Sequence, residues 1–97
     1  MQSNKQVVEA FTKNKEAKST NLQSFVFDGC TVLVSYKWTL AVLVQGTVFY
    51  IDLEKLKPRS AKHLRLLNSY PGPRLKAKHI FVGGQQLVVK IMLDKTR

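Results

Sequence analysis

The chain has 97 residues, with sixteen Lys and Arg against six Asp and Glu, a formal charge of +10, and 44% hydrophobic and 23% charged residues. That length holds a single domain built on one core, and the composition is globular, not disordered. The longest apolar run, Leu40 to Val44, is five residues, where a membrane-spanning helix needs roughly 20, so no membrane partner is expected.

Taken in order, Ser3 to Ala17 read as an amphipathic helix. Ser3 and Gln6 have capping-box spacing, and Val7, Val8 and Phe11 fall on one face. The opening MQSNKQVVEAF lacks the apolar core and cleavage site of a signal peptide, which leads to an expected cytoplasmic location. Leu22 to Leu53 then read as a four-strand meander rich in Val, Phe, Tyr, Thr and Leu. Its connections are Asp28-Gly29, Tyr36-Lys37-Trp38 and Gln45-Gly46. With Gln45-Gly46 as a two-residue turn, Val44 opposes Thr47, Val42 opposes Phe49 and Leu40 opposes Ile51. Leu43 with Val48 and Ala41 with Tyr50 take the other face. Both faces are apolar, so each needs a cover: the chain's own helices, or a second copy in a homodimer. Cys30, the one cysteine, sits inside a strand pattern and reads as a small buried apolar residue. Alone, it excludes an intrachain disulfide or a thiolate metal cluster.

Arg59 to Tyr70 read as a second helix with Ser60 as N-cap. Ala61, His63, Leu64, Leu67 and Tyr70 share one side, Arg59, Lys62 and Arg65 the other, and Pro71-Gly72-Pro73 stops it. A final hairpin is expected around Gly83-Gly84, followed by a polar tail from Asp94. The predicted fold class is a single α+β domain, residues 1–97, with a mainly antiparallel sheet in the order α-β-β-β-β-α-β-β.

No catalytic set assembles. His63 lies on a helix's apolar side and reads as a packed, hydrogen-bonded histidine. His79 opens a strand, and neither has metal-ligand company. No Walker loop or dinucleotide fingerprint occurs, so no enzyme and no cofactor are expected. The concentrated signal is charge. From Lys55 to Lys78 there are eight cations (Lys55, Lys57, Arg59, Lys62, Arg65, Arg74, Lys76 and Lys78) and no carboxylate. Such a run reads as a solvated face or as a patch gripping phosphates without reading sequence. Trp38 reads as a ring folded over the sheet edge or as a stacking platform for an unpaired base.

The pattern Ser35-Tyr36-Lys37-Trp38, Ala41, Gly46-Thr47-Val48 and Arg59-Ser60-Ala61-Lys62-His63-Leu64 resembles a family of small bacteriophage-encoded proteins. In these a Ser-Tyr-x-Trp turn precedes a hairpin and a Ser-x-Lys-His segment opens a helix. The likeness spans roughly Phe25 to Tyr70, with Lys37 where the family has glycine and Ala61 where it has threonine. It implies a phage protein acting in the cytoplasm of an infected bacterium and supplies no catalytic residues. Two functions follow as expectations. One is a non-enzymatic module binding DNA or RNA through the basic patch. The other is an inhibitor docking on an acidic host or defence protein, anti-CRISPR-like in kind.

Overall fold

A computed structural model describes residues 2–27, 29–51, 58–67, 70–75, 80–82 and 85–87. Helix α1 (Asn4–Thr12) leads into strands β1 (Ala17–Lys18), β2 (Leu22–Phe27), β3 (Cys30–Ser35), β4 (Trp38–Val44) and β5 (Thr47–Ile51). Helix α2 (Pro58–Arg65) and strands β6 (Arg74–Leu75), β7 (Ile80–Val82) and β8 (Gln85–Leu87) follow. The class is α+β, with β1 to β5 forming an antiparallel sheet.

The capping box at α1 is present. Ser3 Oγ accepts from the Gln6 backbone N–H at 3.2 Å, and Gln6 Oε1 accepts from the Ser3 N–H at 2.8 Å. The helix stops at Thr12, short of the expected Ala17. Asn14 takes a left-handed φ of 58°, and the Lys15 N–H reaches back to the Ala10 carbonyl at 2.9 Å. This is a Schellman ending, which Asn tolerates better than most residues. The freed residues Ala17 and Lys18 become an edge strand beside β2.

The β4–β5 hairpin has the predicted register from the turn to Ala41: Val44 opposes Thr47, Val42 opposes Phe49, Leu43 opposes Val48 and Ala41 opposes Tyr50, but the expected pair Leu40–Ile51 does not form. Its turn carries positive φ at both central residues, 49° at Gln45 and 81° at Gly46, the signs of a type I′ turn. Between β3 and β4 the register slips after Leu33, which opposes Ala41 while Val34 opposes Thr39. Leu40 is therefore the extra residue of a bulge, and it joins the core cluster next to Ala41.

Both helices cover one face of this sheet. Val7, Val8 and Phe11 of α1 meet Leu22, Leu33, Leu40, Ala41, Leu43 and Val48, and Leu67 after α2 closes the same cluster. The opposite face is also shut off from water, with Val32, Val34 and Val42 fully buried. Within the sheet β3 and β5 flank β4, and the helices take the first face. The contact of β8 with β4 therefore lies on the second face. On this face the chain supplies at least part of the cover itself.

Around α2 the structure departs from expectation in three details, the first being that the helix ends at Arg65, short of the expected Tyr70. The helix opens at Pro58, where a missing N–H costs nothing, so Ser60 lies in its first turn and is not the N-cap. After Pro71-Gly72-Pro73 the chain adds β6 parallel to β5, and the Tyr50 N–H donates to the Pro73 carbonyl at 2.8 Å. A Cβ on Gly72 would stand 1.8 Å from the Val48 carbonyl oxygen, so only glycine lets the segment lie this close to β5. The C-terminal hairpin pairs β7 with β8 antiparallel. Its Gly83-Gly84 turn and the tail from Asp94 lie outside the described residues.

Candidate polyanion-binding site

Arg59, Lys62 and Arg65 recur every third residue along α2, and all three are exposed. Arg74, on β6, is exposed beyond the far end of the helix and lines a hollow with Leu64, Leu67, Tyr70 and Tyr50. Four members of the predicted patch thus stand on the α2 side of the molecule. The other four, Lys55, Lys57, Lys76 and Lys78, lie outside the described residues. Trp38 opens β4 opposite Ser35 and is exposed, as a stacking residue requires.

Two cations that sequence reasoning left out complete the picture. A cleft of about 430 Å³ is lined by Lys18 of β1, the turn Ser19–Asn21, Tyr36 and Lys37 of the β3–β4 turn, and Arg59 of α2. Among the described residues that line it, none is a carboxylate. The walls are tied together: the Tyr36 N–H donates to the Asn21 carbonyl at 2.8 Å, and Ser19 Oγ and the Leu22 N–H are 3.2 Å apart. Lys18, Lys37 and Arg59 are far apart in the chain, and no spacing rule connects them. The one local cue was Lys37 standing in a turn beside an aromatic residue.

Behind Arg59 is a layered stack. The guanidinium carbon lies 4.1 Å from the centre of the Tyr36 ring, a cation–π arrangement. The Tyr36 ring in turn stacks on His63, with centroids 6.0 Å apart and planes 21° apart. His63 Nδ1 is 2.6 Å from Ser35 Oγ, and Ser35 Oγ donates to Ser60 Oγ at 3.0 Å. Burial lowers the His63 pKa below its ordinary 6.5, which favours the neutral ring. A serine beside an imidazole is the geometry of an activated nucleophile, but Ser35 is fully buried and no substrate reaches it. The network is a foundation: it fixes Tyr36, and Tyr36 fixes Arg59.

Tyr36 also carries a left-handed φ of 59°. Such a conformation costs a non-glycine residue about 1 kcal/mol or more and persists only where its neighbours hold it. Here the Asn21 carbonyl, His63 and Arg59 do so.

Among the described residues, no three His, Cys, Asp or Glu side chains gather in one place, and no helix is long and apolar enough to cross a membrane. Cys30 is buried. No protein-family model, curated protein or solved structure matches the chain.

Proposed function

We propose that the chain is a non-enzymatic module that binds nucleic acid, DNA or RNA, through phosphate contacts without reading base sequence. The observation that carries this is the exposed row Arg59, Lys62 and Arg65 continuing into a cleft flanked by Lys18 and Lys37, with no carboxylate among the described residues that line it. Cations so placed neutralise a string of phosphates and release counterions, which gives affinity that falls steeply with salt. The arginines add bidentate forks to phosphate oxygens. Trp38 extends the surface with a ring on which an unpaired base can stack.

The rival reading, an inhibitor docking on an acidic host protein, uses the same cations. One ground for it is the apolar excess on both sheet faces, although Val32, Val34 and Val42 of the second face are buried in the single chain. Its other ground is the phage-like pattern, which suits either reading and carries the infected bacterial cytoplasm with it as the setting.

Fluorescence anisotropy with a labelled single-stranded oligonucleotide tests the proposal. Five cations contacting phosphate predict an affinity about a hundredfold weaker at roughly 200 mM salt than at roughly 50 mM. Alanine at Lys62 or Arg65 should weaken binding of every sequence alike. Absence of binding at low salt, together with a host protein retained on the immobilised chain after nuclease treatment, would transfer the function to the rival.

A further inference from the structure

Within that nucleic-acid reading, the cleft selects one part of the ligand. Three cationic side chains reach it from three separate connections: Lys18 before the β1–β2 turn, Lys37 in the β3–β4 turn and Arg59 at the start of α2. Like charges around one hollow repel, and none of the described residues lining it is a carboxylate that would relieve them. We infer that the cleft binds the terminal phosphomonoester of a nucleic-acid strand, with the attached nucleotide filling the remaining space.

Charge decides between a strand end and a strand interior. An internal phosphodiester carries one negative charge, whereas a phosphomonoester carries about −1.5 to −2 at neutral pH with three acceptor oxygens. Three cations lining one hollow match the second. Size agrees: about 430 Å³ lies in the range of roughly 300–1,000 Å³ typical of small-ligand sites. That admits one nucleotide, while a duplex remains outside against Lys62 and Arg65. The first turn of α2 also contains no acidic residue, so nothing of its own offsets the positive end of the helix beside Arg59.

Preorganisation points the same way. Arg59 does not wave freely, since its guanidinium rests on the Tyr36 ring. That ring has Arg59 and His63 as its two neighbours. Tyr36 is therefore a positioning residue and not a platform for a base. Its left-handed backbone sets the ring where the arginine needs it.

The experiment compares three single-stranded oligonucleotides of one sequence, with a 5′-phosphate, a 3′-phosphate, or hydroxyls at both ends. One phosphorylated end should bind about tenfold more tightly than the hydroxyl form, and Arg59→Ala, Lys18→Ala or Lys37→Ala should cut that preference below about twofold. Lys62→Ala should weaken all three oligonucleotides equally. Tyr36→Leu should lose the preference, and Tyr36→Phe, which keeps the ring, should retain it; thermal unfolding of both variants controls for folding. Equal binding of the three oligonucleotides, with steep salt dependence intact, overturns the strand-end inference and leaves the general reading standing. No binding of any of them at low salt removes both.

Discussion

At the scale of single residues, His63 makes the most direct prediction. Desolvation lowers its pKa in the folded chain, whereas in the unfolded chain the ring titrates near its ordinary 6.5. Below that value the unfolded chain binds a proton that the folded one refuses. The His63 contribution to stability is thus complete above about pH 6.5 and is lost as pH falls from there through the lowered folded pKa. Urea unfolding at about pH 7.5 and pH 5.5 should show a drop in midpoint that is smaller in His63→Gln. An equal drop in both proteins would place the titration elsewhere. Ser35 has a larger role than its size suggests. It is fully buried and serves both Ser60 and His63, so Ser35→Ala strands two polar groups and should cost about 1–3 kcal/mol. A urea midpoint unchanged from the parent would show that the network contributes nothing to folding. His63 as a packed, hydrogen-bonded residue was readable from its place on a helix's apolar side. Its partners were not, because Ser35 lies on a strand twenty-eight positions away.

At the scale of elements, local chemistry succeeded where the signal is short-range. The Ser3–Gln6 cap and the Gln45-Gly46 hairpin are each decided within a few residues, and both stand as read. The end of α1 and the start of α2 were misplaced for the opposite reason. Residues 13 to 17 carry good helix formers, but a left-handed Asn14 and pairing with β2 outweigh propensity. Ser60 looked like a cap, but Pro58 already starts the helix and the Ser60 hydroxyl is spent on Ser35. The return segment shows how a backbone contact hides in a sequence. Pro71-Gly72-Pro73 was legible as a stop, whereas the demand for glycine comes from the Val48 carbonyl across the gap. Gly72→Ala should push the segment off β5, disturb the hydrogen bond from Tyr50 to Pro73, and destabilise the fold by about 1–3 kcal/mol. Amide exchange at Tyr50 reads this locally; unchanged protection in the variant would mean that the segment shifts without strain.

At the scale of the molecule, charge was the readable property and its focus was not. The cationic run in the second half of the sequence forecast a basic surface, and Arg59, Lys62, Arg65 and Arg74 stand exposed on it. The cleft escaped notice because a hollow made by three distant connections leaves no periodicity to find. The sheet's second face was recognised as needing a cover, and β8 lies against it. Val32, Val34 and Val42 are fully buried in one chain, so these three valines add no hydrophobic gain to the pairing of two copies. Sedimentation at micromolar concentration should give the 11.0 kDa mass of a single chain, and a doubled mass would show that two copies associate.

The two-residue strands β1 and β6 bound the six-stranded sheet at its opposite margins. A neighbour seeking to extend the ladder meets only a few unpaired amides and carbonyls at either rim before the backbone turns away. For a chain so rich in valine and phenylalanine, those stubby borders act as a brake on end-to-end templating and fibril growth.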